Sequence, residues 1–385
     1  MGKAQREKQL QRIGSFYDGE QTDFILWSPF QKSVSIIFSD PSRKAIEMEK
    51  DEWGYWKTSF AVKPGQQYTY QLDNGYSWPD PASVSQPRGV HGASEIINRH
   101  FFWTDESWTG IDSGDMIIYE LHVGTFTTAG KFIDIENKLN YLLELGINTI
   151  ELMPVAQFPG ERNWGYDGVF PFCVQNTHGG HSALKQFINV CHQKKIAVII
   201  DVVYNHFGPE GNYLEKFAPY FTEKYNTFWG KSINFDDAWC DGVRNYFIQN
   251  ALMWLDEFHA DGLRLDAVHA IWDFSAHHFI KELKEETELL SQRCGKKKKL
   301  IAEIDLNDPT YIDPPEKGGY GLDGQWADEF HHALHTVLTG ERSGYYEDFG
   351  KLVDLEKSFH NAYVYDGIYS PHRKKIFGAD ASKNS

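Results

Sequence analysis

The chain is short of positive charge: 38 Lys and Arg stand against 54 Asp and Glu, a formal net of −16. That excludes a nucleic-acid binder in the first instance, because phosphate neutralisation takes clustered basic side chains. The sole basic block, Lys296 to Lys299, lies just ahead of an apolar run and reads as a solvated loop. Cysteine is scarce as well. Cys173, Cys191, Cys240 and Cys294 have no metal-ligand spacing, which argues against a metal site, and they read as free buried thiols. No segment is long and apolar enough to cross a membrane. No apolar stretch follows the basic residues of Met1-Gly-Lys-Ala-Gln-Arg-Glu-Lys8, so no signal peptide is expected and the cytoplasm is the expected location. A neutral ligand would be indifferent to the acidic balance.

Aromatic residues, by contrast, are plentiful at 15%, with 12 Trp and 20 Tyr. A large aromatic core explains most of them, and a cleft that stacks flat rings against sugar faces explains the rest. Up to about Ile97 the pattern is all-β: apolar residues alternate in Ser33–Ser39 and recur in Trp53–Phe60 and Tyr68–Leu72. Pro64-Gly65 and Asp73-Asn-Gly75 supply turns between them. Residues 1–97 therefore form a small immunoglobulin-like β-sandwich, 98–114 a linker, and 115–385 an α/β domain.

From Asp115 the rhythm becomes strand–helix alternation, the signature of a parallel sheet with helices outside it. Strands are expected at Met116–Val123, Thr149–Pro154, Ile196–Val203, Gly262–Val268, Lys299–Ile304 and Gly324–Trp326. Helices follow at Ile133–Leu145, Ala183–Gln193, Ala238–His259, Ser275–Cys294, His331–Leu338 and Tyr346–Asn361. The fold class is thus a (β/α)8-type barrel, incomplete because about six strands are present where closure needs eight. The segment Phe377–Ser385 is small and polar and reads as no strand.

Chemistry concentrates at three successive strand ends: Asp201-Val-Val-Tyr-Asn-His206, Asp261-Gly-Leu-Arg-Leu-Asp266, and Leu300-Ile-Ala-Glu303. The C-terminal ends of barrel strands form the reaction floor, where a polar residue costs burial energy and needs a purpose. Two acids there suit retaining glycosidic chemistry, in which one attacks the anomeric carbon and the other gives and retakes a proton. Arg264 lies two residues before Asp266, on the same strand face, and can hold that carboxylate ionised and oriented. Glu303 needs an apolar or anionic neighbourhood to keep its proton. A lone strand-end Asp is as often a cap; three polar clusters in order weigh against that.

These segments resemble the first three signature regions of the α-amylase superfamily. The resemblance implies Asp266 as nucleophile, Glu303 as general acid/base, and Arg264, Asp201 and His206 as substrate-binding, with Tyr166 of Trp164-Gly-Tyr-Asp167 beneath the sugar ring. Tyr70–Gly75, Pro79–Ser83, Gln86–Gly92, Ala302–Pro309 and Gln325–Ala333 are similar to the malto-oligosyltrehalose trehalohydrolase family. That likeness implies maltooligosyltrehalose or a related α-glucan as substrate, with Asp328 touching its trehalose end. It implies no cofactor or metal, and no cluster of extra carboxylates near Asn205 suggests calcium. The superfamily's fourth region, Asn-His-Asp, does not occur in the sequence. With the missing strands, this reads as a fragment with an open, poorly stable barrel, expected to be inactive as it stands. The alternatives are a glycogen branching enzyme and a non-catalytic glucan binder. The loop Phe207–Asp236 carries Tyr213, Phe217, Tyr220, Phe221, Tyr225, Phe228 and Trp229, of which one or two are expected to face sugar.

Overall fold

A computed structural model describes residues 11–40, 42–227 and 230–381. The N-terminal segment Met1–Lys8, Phe228, Trp229 and Ser382–Ser385 lie outside the described residues. Two antiparallel sheets come first. One has the strand order Gly14–Tyr17, Thr22–Trp27, Tyr55–Phe60, Glu49–Lys50. The other runs Ile46–Glu47, Val34–Phe38, Gln67–Leu72, Ser77–Trp78, with Ser94–Glu95 also on Gln67–Leu72. Alternate residues of Val34–Phe38 are buried, as its pattern demands. The sheets face each other through Phe24 against Tyr68, at 5.0 Å between ring centroids, and Phe38 against Phe60, at 5.9 Å.

The second half is a six-stranded parallel sheet: β1 Ile118–Leu121, β2 Thr149–Leu152, β3 Ala197–Val202, β4 Gly262–Leu265, β5 Lys299–Glu303 and β6 Gly324–Trp326. They neighbour one another in that order, so the sheet is a half-barrel with β1 and β6 as its edges. Every residue of β2 and β3 is buried, which is why these strands read as unbroken apolar runs. All six expected strands are present, the first five shortened at their ends and Gly324–Trp326 as expected.

Besides a single turn at Val123–Phe126, the helices are α1 Phe132–Glu136, α2 Leu139–Glu144, α3 Gly180–Gln193, α4 Cys240–Leu252, α5 Phe279–Cys294, α6 Glu329–Thr339 and α7 Leu352–Asn361. Several differ from expectation. The helix read over Ile133–Leu145 breaks at Asn137 and Lys138, and that over Ala238–His259 passes into a π-turn at Met253–Glu257. The helix expected from Ser275 starts at Phe279, because Asp273 accepts from Ser275 N (2.8 Å) and Phe279 N (2.6 Å) and holds the intervening turn non-helical.

The Lys296–Lys299 block is a solvated loop only in its first half, where Lys297 is exposed. Lys298 and Lys299 are buried, their ammonium groups donating to the carbonyls of Ala260 (2.8 Å) and Ile111 (2.6 Å), while Lys296 lies 3.8 Å from Asp105 and Lys297 3.2 Å from Asp323. The four charges clamp the end of the sheet opposite the strand C-termini. The thiols are free, but only Cys173 and Cys191 are buried; Cys240 is half-buried and Cys294 exposed. Phe377, expected in no strand, closes the hairpin of Ile368–Ser370 with Lys375–Phe377. No helix among the described residues is long and apolar enough to cross a membrane.

Candidate active site

The C-terminal ends of β3, β4 and β5 stand side by side, and their register puts Asp201 opposite Arg264 and Arg264 opposite Ile301. Arg264 organises the cluster. Its Nη1 donates to Asp201 Oδ2 (3.0 Å) and Asp266 Oδ1 (2.7 Å), and its Nη2 lies 3.7 Å from Glu303 Oε2. Burial works against the guanidinium's charge, yet Asp201 and Asp266 hold it above its ordinary value. Asp201 is 1% exposed; burial pushes its carboxyl well above the usual carboxylate range, against the pull of Arg264.

Asp266 is held from a second side. Asn205 Nδ2 donates to its Oδ2 and to its backbone carbonyl, both at 2.8 Å, and Asn205 Oδ1 bonds His206 Nδ1. Both carboxylate oxygens are thus satisfied and the group has a single orientation. His206 is buried, which pushes its imidazole below the ordinary value while Asp266 opposes that shift.

The residue after Asp266 is left-handed: Ala267 has φ 41°, a costly conformation for a side chain with a Cβ. The turn aims the Ala267 N–H at Glu303 Oε2, 2.7 Å away. Glu303 is thus contacted by a backbone donor and by the guanidinium that it shares with the carboxylates of Asp201 and Asp266.

Tyr166 arrives from the segment between β2 and α3, its hydroxyl donating to Asp201 Oδ2 at 3.0 Å. Gly165 makes the approach possible: its φ is +102°, and a Cβ there would sit 2.0 Å from the Pro154 carbonyl oxygen. Asn163 fixes the turn by accepting from Gly165 N (2.8 Å) and donating to Asp167 (2.7 Å).

Two cavities meet at Asp167. One, about 720 Å³, is lined by His122, Thr125, Arg162, Trp164 and Tyr166. The other, about 520 Å³, is lined by His206, Asn212, Glu215, Phe221 and Lys231. Tyr166, bonded to Asp201, lines the first and His206, bonded to Asn205, lines the second, so an oligomeric ligand has room on both sides of Asp167.

Of the residues expected from sequence, Tyr166, Asp201, His206, Arg264, Asp266 and Glu303 are brought together. Asp328 takes part in none of these bonds; it precedes α6, and its carbonyl accepts from His332 N at 2.9 Å. Sequence reasoning missed Ala267 and the bonds of Asn205. It also missed Glu151 on β2, which is buried, with burial pushing its carboxyl up to about 7 while Arg264 opposes. A charged residue inside the otherwise apolar run Thr149–Leu152 was the available signal. Of the loop aromatics, Phe217 and Tyr220 are buried against the N-terminal sheets, through Tyr70 and Trp27. Phe221 lines a cavity, and Tyr213 packs on Trp78 at 4.9 Å.

Known proteins place this arrangement. Residues 12–86 match carbohydrate-binding module 48, the isoamylase N-terminal domain, and 96–242 match the alpha amylase catalytic domain. The second match includes Asp201 and His206 and stops before Asp266. Malto-oligosyltrehalose trehalohydrolase of Saccharolobus solfataricus is 49% identical over 367 residues, 95% of this chain and 64% of that protein. The Mycobacterium tuberculosis protein of the same name is 44% identical over 92% of this chain and 62% of its own length. A 1,4-alpha-glucan branching enzyme of Pseudoalteromonas atlantica is 32% identical over 64% of this chain and 38% of its own. A solved Salmonella typhimurium protein assigned to the alpha amylases superposes with a TM-score of 0.87 at 36% identity, over 96% of this chain and 63% of its own. Bacillus subtilis pullulanase shares the fold, with a TM-score of 0.65 at 22% identity over 78% of this chain and 48% of its own. The chain spans 64% and 62% of the two trehalohydrolases it matches. By its sheets, its strand-end carboxylates and these relatives, the chain belongs to the α-amylase superfamily, among the malto-oligosyltrehalose trehalohydrolases.

Proposed function

We propose that the protein is a retaining glycoside hydrolase that cleaves the α-1,4 bond joining a maltooligosaccharide to terminal trehalose. The observation that carries this reading is the single guanidinium of Arg264 bridging Asp201, Asp266 and Glu303 at three adjacent strand ends. In the proposed course Asp266 attacks the anomeric carbon while Glu303 gives its proton to the departing glycosidic oxygen, releasing trehalose. Water then gives a proton to Glu303 and its oxygen to the anomeric carbon, breaking the bond to Asp266 and freeing the maltooligosaccharide with its configuration retained. Asp201, His206 and Arg264 would bind the reacting sugar, Tyr166 would lie beneath it, and Asp328 would meet the trehalose end. None of these steps calls for a metal or cofactor. The reading divides the chain into a β domain (1–97), a connector (98–114) and a barrel (115–385), acting in the cytoplasm on an α-glucan.

Incubation of the full-length protein with maltooligosyltrehalose tests it. Release of free trehalose, falling roughly 10⁴-fold in Asp266→Asn with the fold intact, is the expected result. New α-1,6 branches would replace the proposal with a branching enzyme, and tight binding without turnover with a glucan-binding protein.

A further inference from the structure

Two loops leave the strand ends beside the carboxylates, and together they present three aromatic rings that the core does not use. In the loop after β4, residues point alternately in and out. Ile271 and Asp273 are buried, and Asp273 is pinned by Arg244 Nη1 (2.9 Å) and the Phe279 N–H (2.6 Å). Trp272 and Phe274 are thereby forced outward, 38% and 73% exposed. In the loop after β3, the hairpin of Phe221–Thr227 with Gly230–Ile233 brings Tyr225 against them. Tyr225 stacks on Trp272 at 5.6 Å and 20°, and lies 5.6 Å from Phe274.

One buried carboxylate fixes the group. Asp236 Oδ2 accepts from the Tyr225 hydroxyl (2.6 Å), Lys224 Nζ (3.0 Å) and the Phe274 N–H (3.0 Å), stapling the hairpin to the β4 loop. Exposed aromatic rings held rigid before binding give contact area at little entropic cost. The same hairpin supplies Phe221 and Lys231 to the cavity that contains His206, so Tyr225 stands on an element that walls that cavity.

We propose that Tyr225, Trp272 and Phe274 form a preorganised platform that stacks glucose rings of the α-glucan substrate outside the pocket of the reacting sugar. The inference rests on the α-glucan reading above. Its test is calorimetric binding of maltoheptaose to the protein carrying Glu303→Gln, which blocks turnover, with Trp272→Ala, Phe274→Ala or the conservative Trp272→Phe added. Phe30→Ala, a ring 56% exposed on the N-terminal domain, serves as the control. Trp272→Ala and Phe274→Ala are each expected to raise Kd about tenfold, with Trp272→Phe and Phe30→Ala within about twofold of the parent. With Glu303 intact, the same two alanine variants should raise KM increasingly as the maltooligosaccharide arm lengthens, with kcat unchanged.

Phe274 is too exposed for its loss to unfold the loop, so a Kd unchanged in Phe274→Ala and Trp272→Ala overturns the platform, as does an equal loss in Phe30→Ala. The two readings fail separately. Maltoheptaose binding that depends on Trp272 in a protein releasing no trehalose leaves the platform standing and removes the hydrolase. Trehalose release that ignores both rings does the reverse.

Discussion

Among single residues, Asn205 and Glu151 have the sharpest consequences. Asn205 is a neutral donor to the Asp266 carboxylate, and a hydrogen bond to a charged group contributes about 1.5–3 kcal/mol. Asn205→Ala should therefore lower kcat on maltooligosyltrehalose by about tenfold to a hundredfold, with KM barely moved; a KM effect alone would contradict a positioning role. Glu151 acts on stability. Its folded value of about 7 lies above the ordinary 4.5, so the unfolded chain ionises first as pH rises. The folded state then loses up to about 3 kcal/mol across that window. Glu151→Gln removes the loss, and its denaturation midpoint should exceed the parent's above pH 7 and not at pH 4. Urea melts at the two pH values decide. Neither residue stood out in the sequence as these six did: Asp266, Glu303, Arg264, Asp201, His206 and Tyr166 lie in motifs where type and spacing speak for themselves. The roles of Asn205 and Ala267 depend on where Nδ2 and one N–H point, which spacing does not encode.

At the level of elements, the strands were legible because burial on both faces writes them as apolar runs, whereas their ends and the helix starts answer to tertiary bonds such as those of Asp273. The second half of the Lys296–Lys299 block was misread for the same reason: the ammonium groups find carbonyls contributed by distant segments. The Trp164–Asp167 turn is the element most exposed to a single change. Gly165→Ala places a Cβ against the Pro154 carbonyl in a left-handed conformation, costing about 1–3 kcal/mol. The turn must shift, carrying Tyr166 from Asp201, so activity should fall much further than thermal stability. Loss of neither would show that the turn tolerates the methyl group, and equal losses that the change unfolds the protein at large and not the turn alone.

Over the whole molecule, the small β domain and the half-barrel share one loop. Trp27 meets Tyr220 edge-on at 5.5 Å, Ser28 Oγ donates to the Phe217 carbonyl at 2.6 Å, and Asn212 and Glu215 of the same loop line the cavity beside His206. Trp27→Ala should destabilise this junction by about 3–5 kcal/mol. On heating the variant, trehalose release should vanish several degrees before the helical circular-dichroism signal; coincident loss would mean that the loop stands without the domain. The β domain is in this sense a retaining wall of the cleft. Heat, denaturant or a protease that loosened the first hundred residues would silence the far end of the chain while Asp266 and Glu303 still stood in register on their strands.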